Sequence, residues 1–314
     1  MADGAAAAKF IDPRVTAKGE ARARIALHAL ETLWFNTGTL CNITCANCYI
    51  ESSPRNDRLA YLSLDDVRLY LDEIERARLP VKMIGFTGGE PFMNKAMIAI
   101  LDEVLSRGFE ALVLTNAMRP MQRHKAQLLE LLKRHGLRLR LRVSLDDPSA
   151  AIHDAERGEG SYDKTMAGLK WLASSGLVVD VAGRAFTAGE EFELRARFQT
   201  LFDEIGLKLD ARDPAALVIF PEMDMSADPP EITTACWGIL NKDPREVMCA
   251  SARMVVKRKG ESKPAVLACT LLPYDTRFEL GATLQEASGP VALNHKYCAS
   301  FCVLGGASCG AAKA

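Results

Sequence analysis

Between residues 33 and 220, short apolar runs alternate with segments whose hydrophobic residues recur every three or four positions. Apolar, β-rich runs at 33–40, 81–87, 111–116, 137–145, 177–185 and 216–220 predict six strands. Between the first two, Leu64, Val67, Leu71 and Ile74 mark one face of a helix, opened by Ser63 with Asp66 three residues on as a capping box. Leu194, Phe198, Leu201 and Ile205 repeat that spacing until Gly206 stops the helix. Stretches at 94–107, 120–135 and 161–175 predict further helices. Strands alternating with helices imply right-handed βαβ units, a parallel sheet, and ligands at the C-terminal ends of the strands. Six units are too few for a closed eight-stranded barrel, so a partial barrel or an open sheet is expected. After residue 221 the pattern changes. SADPPE at 226–231 reads as a joint, 233–240 as a short helix, and 254–259 with 265–270 as a hairpin around GESKP. The tail, NHKYCASFCVLGGASCGAAKA, has little periodicity and few large apolar side chains. Bound metal is the expected source of its order.

Composition places the chain among ordinary globular proteins, with 48% hydrophobic and 25% charged residues. Its 39 basic and 40 acidic residues leave a net charge of −1, so no global field favours nucleic acid or an anionic membrane. No run approaches the ~20 apolar residues of a membrane span. MADGAAAAKF lacks the cationic start and apolar core of a signal peptide. A cytoplasmic location is expected, where thiols stay reduced and nine cysteines point to metal or catalysis rather than disulfides. The expected division is an N-terminal extension at 1–29, partly disordered, a barrel at 30–225 and a cysteine-rich domain at 226–314.

Cys41, Cys45 and Cys48 follow the first strand in a C-x3-C-x2-C spacing. Three thiolates on one tight loop can hold three corners of a cubane iron–sulfur cluster and leave the fourth iron open to a non-protein ligand. Structural zinc is the rival reading, although no partner half-site lies nearby. Thr87-Gly88-Gly89-Glu90-Pro91 ends the second strand. Its glycines would let a ligand approach the backbone, and Glu90 could accept from an ammonium group; a plain strand-to-helix turn is the alternative.

In this order, CNITCANCY, TGGEP, LTN (114–116) and VSLDDPSAAIHDAERG (143–158) resemble the radical S-adenosylmethionine (SAM) enzymes. The resemblance covers roughly residues 30–221. It implies a partial (β/α)6 TIM-like barrel with a [4Fe–4S] cluster on the cysteine triad. SAM would chelate the open iron, accept one electron and release a 5′-deoxyadenosyl radical that abstracts a substrate hydrogen. Gly88, Gly89 and Glu90 match the family's SAM-amino motif. Ser144 and Asp146 match the polar residues that meet the ribose or methionine moiety, with strand-end capping as the alternative. Asn116 is a similar contact or a turn residue. Arg157 and Arg184 are placed for the SAM carboxylate, or for salt bridges. His153 and His295 read as structural. The chain departs from the family at Asn47, where an aromatic residue is common; Tyr49 follows instead.

Cys249 and Cys269 flank the hairpin, and Cys298, Cys302 and Cys309 close the chain. This arrangement resembles the SPASM and twitch extensions of radical SAM enzymes, which hold auxiliary [4Fe–4S] clusters. The expected fold class is therefore α/β, a partial barrel with a small cysteine-rich α+β extension. One auxiliary cluster on Cys249, Cys269 and two of the last three thiols is expected, with Cys298 and Cys302 preferred and Cys236 spare. Two clusters with open sites, zinc, or buried thiols are the alternatives. The implied activity is radical oxidation or bond formation on a peptide side chain or a small molecule. An electron donor such as flavodoxin or ferredoxin is the implied partner. Only about 30 residues precede the first strand, short for a leader-peptide module, and GAAKA lacks the double glycine of the GTP-cyclising enzyme. The competing class is a non-catalytic iron–sulfur electron carrier or cluster scaffold, which would not need the GGEP and SLD elements.

Overall fold

A computed structural model describes residues 8–185, 191–222, 224 and 226–306. The expected disordered tip falls on residues 1–7, outside the described residues, and so does Cys309. From Phe10, which is buried, the N-terminal segment packs against the C-terminal extension. Its strand β1 (Arg24–Ile25) pairs antiparallel with β11 (Val291–Ala292).

The barrel begins with β2 (Thr32–Asn36), α1 (Leu64–Ala77), β3 (Met83–Thr87), α2 (Met97–Ser106) and β4 (Glu110–Thr115). The capping box forms: Ser63 Oγ accepts from the Asp66 N–H and the Asp66 carboxylate accepts from the Ser63 N–H. The helical stretch after β4 splits into α3 (Arg119–Gln122) and α4 (Lys125–His135). Then come β5 (Leu139–Ser144), α5 (Ala150–Arg157), α6 (Ser161–Ser175), β6 (Val178–Ala185), α7 (Glu191–Ile205) and β7 (Leu217–Pro221). Helix α5 was not anticipated: its eight residues carry one buried side chain, His153, so no apolar stripe announces it.

Strands β2 to β7 lie in chain order, each parallel to its neighbour. Side-chain alternation divides the core into two layers. Leu33, Phe35, Ile84, Phe86, Val113, Leu141 and Val181 face outward and pack beneath the helices. Trp34, Leu112 and Met254 belong to the opposite layer, on the concave side. Gly85 makes room there, since a Cβ at that position would stand 2.4 Å from the Trp34 ring.

The remaining elements are α8 (Cys236–Ile239), shorter than the expected 233–240, β8 (Ala252–Val256), β9 (Ala265–Leu267) and β10 (Glu279–Gly281). Strands β8 and β9 make the expected antiparallel hairpin. The hairpin does not stand apart, however. Strand β8 lies parallel on the free edge of β2, so the extension continues the barrel sheet in the order β10-β9-β8-β2-β3-β4-β5-β6-β7. Pairing removes an exposed strand edge that the sequence offers no other means of blocking. Buried Arg253 secures the junction by donating to the carbonyls of Cys249, Ala252, Ala287 and Gly289. Among the described residues, no helix is long and apolar enough to cross a membrane.

Candidate functional site

The loops at the C-terminal ends of β2 to β6 converge on one cavity. Cys41, Cys45 and Cys48 line it, together with Gly88 and Gly89, Asn116, Ser144, Asp146, Arg157 and Arg184. Residues far apart in the chain thus meet because parallel strands present all their C-terminal ends on one side.

The cysteine loop is held from several directions. The Cys41 N–H donates to the Ser53 carbonyl at 3.1 Å, and the Ala46 N–H donates to the Glu156 carbonyl at 2.8 Å. Asn47 Nδ2 donates to the Glu156 carboxylate at 3.1 Å. Asn47, where the family often has an aromatic residue, therefore ties the loop to the end of α5. The Ser52 N–H donates to Cys48 Sγ, 3.4 Å away. Burial pushes the Cys41 thiol up to about 12. Burial also raises the Cys45 thiol, against the opposing field of Arg157. Such thiols ionise readily only when a metal takes the charge.

The glycines bring two loops together. A Cβ on Gly88 would stand 2.4 Å from the Gly38 carbonyl, and one on Gly89 would stand 2.1 Å from the Leu40 carbonyl. Their absent side chains let the loop after β3 lie directly on the loop after β2. There the Gly89 and Glu90 N–H groups donate to the Gly38 and Leu40 carbonyls at 2.8 and 3.2 Å. Close backbone approach is needed, and the cysteine loop supplies the approaching backbone.

Glu90 bridges two loops. Its side chain is buried behind the loop and is not among the cavity-lining residues. It accepts from Thr115 Oγ1 at 2.9 Å, the Asn116 N–H at 2.9 Å and the Phe92 N–H at 3.2 Å. Burial raises its pKa to about 7, against the lowering effect of those donors. These contacts make it a clamp between the loops after β3 and β4.

Asn116 occupies the cavity wall next to the cysteine loop. Its Nδ2 donates to Asn42 Oδ1 at 3.0 Å and lies 4.0 Å from Cys41 Sγ. Asp146 receives both arms of Arg157, at 2.7 and 2.9 Å, and Arg184 approaches it to 3.8 Å. Arg184 also donates to Glu156 at 3.0 Å. The two guanidinium groups therefore line the cavity already engaged with carboxylates of the fold, and the arginines hold Asp146 below the usual carboxylate range despite its burial. His153 accepts the Asp146 N–H on Nδ1, consistent with a structural role, and burial lowers it to about 4.

Sequence reading missed part of the wall. Arg142 and Asp180 sit side by side on β5 and β6, both buried on the concave face, with Arg142 lining the cavity. The signal was present in LRLRVS: Arg140, Arg142 and Ser144 alternate with Leu139, Leu141 and Val143. A polar inner face on a half-polar strand marks a lumen that is not filled with apolar side chains alone. Tyr49, Ile50, Phe220, Pro221, Leu271 and Phe301 supply the apolar side, partly from the C-terminal extension.

That extension gathers thiols of its own. Cys249 and Cys298 are buried and Cys269 is half-buried. Burial raises Cys298 well above its ordinary value, and Cys269 and Cys249 add to the rise. Cys302 lies on the same short helix as Cys298, the π-helix Cys298–Leu304. Cys236 accepts the Thr233 N–H on α8. His295 is packed edge-on against Phe278 and accepts the Tyr297 N–H, again structurally. Among the described residues, no three His, Cys, Asp or Glu side chains converge closely enough to enclose a single metal ion. A cubane distributes its thiolates over separate irons and does not require that convergence.

Comparison with known proteins agrees with this geometry. The family model of the Radical SAM superfamily matches residues 35–191, and the chain belongs to that superfamily. The cofactors of the family are a [4Fe–4S] cluster and SAM, and the chain's cysteine triad and strand-end polar groups fit them. The antilisterial bacteriocin subtilosin biosynthesis protein AlbA of Bacillus subtilis (strain 168) is 32% identical over 174 residues, 55% of this chain and 36% of AlbA. The chain thus spans about a third of that relative's length. Streptococcus suis SuiB bound to S-adenosylmethionine superposes with a TM-score of 0.59 at 13% identity, over 82% of this chain and 64% of SuiB. SuiB bound to its precursor peptide SuiA superposes with a TM-score of 0.56 at 14% identity, over 82% of this chain and 63% of SuiB. These superpositions share the partial-barrel fold.

Proposed function

We propose that this chain is a radical SAM maturase that oxidises or cross-links a peptide side chain. One observation carries the reading: the C-x3-C-x2-C thiols and the polar ends of β3 to β6 line a single cavity. Cys41, Cys45 and Cys48 would hold the cluster, and the Gly88–Gly89 backbone, Asn116, Ser144, Asp146, Arg157 and Arg184 would surround SAM. When bound, these cofactors supply one-electron cleavage of SAM and abstraction of a substrate hydrogen atom.

The chain's own residues orient and shield. The Glu90 clamp and the glycine contact keep the cysteine loop and the loop after β3 in register. Glu156 joins the cysteine loop to α5, while Asp146 holds Arg157 against the cavity wall. Phe220 and Phe301 stack at 5.7 Å and, with Leu271 and Ile50, keep water from the reacting atoms. The peptide reading draws on AlbA, named for bacteriocin biosynthesis, and on SuiB, seen with a precursor peptide. Residues 226–314 would form the auxiliary-cluster unit, with Cys249, Cys269 and Cys298 as ligands and Cys302 or Cys309 as the fourth.

Anaerobically reconstituted protein given SAM and dithionite should form 5′-deoxyadenosine. With short peptides encoded beside its gene, the product should show a mass loss of hydrogen. No 5′-deoxyadenosine from the fully reconstituted protein would leave the chain an electron carrier or scaffold.

A further inference from the structure

The cysteine loop borders a second hollow. Asn42 and Ile43 form part of the floor of an open groove of about 950 Å³ between the loop after β3, α3 and α6, and Ile43 also lines the cavity. Phe92 and Met118 add apolar surface to it. Lys95, Arg119, Arg123 and Lys164 surround it, with Asp163 the one carboxylate among the lining residues. All four cationic side chains are exposed, and none forms an ion pair among the described residues. Other exposed arginines without an ion pair, such as Arg24, Arg55, Arg76 and Arg78, are not part of this groove, while Arg107 reaches Asp72 and Glu103, Arg134 reaches Asp102, and Arg197 reaches Asp147. The net charge is −1, so this cluster does not reflect a general excess of positive charge. Four unmatched cations around an apolar floor suit a partner that brings carboxylates around an apolar patch.

We propose that this groove docks an acidic one-electron carrier protein and is the entry point for the electron. The inference rests on the reading of Cys41, Cys45 and Cys48 as a redox cluster site. The floor is one side chain away from that site. Asn42 Nδ2 donates to Met118 Sδ at 3.5 Å, Asn116 Nδ2 donates to Asn42 Oδ1 at 3.0 Å, and the same Nδ2 lies 4.0 Å from Cys41 Sγ. An electron delivered here reaches the cluster site through Asn42, Ile43 and Asn116 rather than through the Arg142, Asp146 and Arg157 side of the cavity. The balance is simple: the reduced carrier loses one electron, the cluster gains it, and no atom or proton crosses the interface. Charge steering suits the task, because redox encounters are small, fast and weak. A nucleic acid would also meet the cations, but it has no use for a floor adjoining Cys41.

The test uses the reconstituted full chain, an acidic flavodoxin as probe, and the variant Arg119→Glu/Arg123→Glu/Lys164→Glu. Calorimetry at low salt should show flavodoxin binding that weakens at least about tenfold in the variant and falls with added salt in the wild type. Stopped-flow bleaching of the cluster by reduced flavodoxin should slow correspondingly, while dithionite-driven bleaching stays unchanged. The milder Arg119→Gln/Arg123→Gln pair should give an intermediate effect. Equal flavodoxin binding and bleaching in wild type and variant would overturn the proposal. So would absence of binding to the wild type, or a variant that loses only oligo-dT binding. Calorimetry decides the groove by itself. Failure of dithionite to support SAM cleavage in the wild type would count against the cluster reading instead.

Discussion

The carboxylate of Glu90 accepts from one side chain and two backbone N–H groups, all buried. A Gln at this position keeps one acceptor and turns an amide towards donors. Leaving a buried donor unmatched costs about 1–3 kcal/mol. Glu90→Gln is therefore expected to lower the unfolding free energy of the cluster-free protein by about 1–3 kcal/mol, read as a lower urea midpoint at unchanged slope. An unchanged midpoint with weakened SAM binding would give Glu90 the role of ammonium acceptor. His153 gives a second prediction, in pH. Its pKa is lowered to about 4, so between its ordinary value near 6.5 and 4 the unfolded chain binds the proton and the folded chain does not. Stability should fall as pH drops through that window. At pH 5 the loss amounts to roughly 2 kcal/mol relative to pH 7. His153→Gln, which keeps an acceptor for the Asp146 N–H, should flatten the difference, as read by urea unfolding at the two pH values.

Among the elements, β8 has the most to explain. A hairpin flanked by cysteines could have formed a satellite, yet β8 pairs with β2 over Thr32–Phe35 and places Cys249 just before the junction. Arg253 makes that placement possible, since a buried guanidinium surrounded by carbonyls is stable only while all of them accept. Arg253→Leu should cost at least about 3 kcal/mol and loosen residues 249–289 first. Hydrogen exchange resolved by peptide would show this as faster exchange across β8 while α4 and α6 stay protected. Uniform loss of protection would mean the extension and the barrel unfold as one unit. Helix boundaries were legible wherever a cap or a stop was written in the chain, as at Ser63 and Gly206. Helix α5 was not, because its buried face is a single histidine and its other contacts are polar.

Across the whole molecule, one group of cysteines follows the C-terminal end of the barrel's first strand and the other precedes and follows the β8–β9 hairpin beside it, and their independence can be measured by iron content. Replacing Cys41, Cys45 and Cys48 with alanine should remove half of the roughly eight irons of two cubanes and all SAM cleavage. Cys249→Ala/Cys269→Ala should remove the other half and leave substrate-independent SAM cleavage in place. About four irons in the reconstituted wild type would reduce the molecule to one cluster.

The sequence by itself determined the order of the barrel strands, the cysteine triad after the first of them, and the polar groups gathered at the strand ends. Those features depend on local periodicity and on spacings of a few residues, and parallel βαβ topology then carries them to one mouth. Tertiary structure alone decided what each group faces. The glycines of the loop after β3 receive the cysteine loop's backbone, Glu90 turns inward, Arg157 and Arg184 meet Asp146 and Glu156, and β8 closes on β2. Periodicity says which face of an element is buried; it does not say what lies opposite. A charge in the sequence carries no record of its partner, which is why the paired arginines of the cavity and the unmatched cations of the groove read alike until the chain is folded.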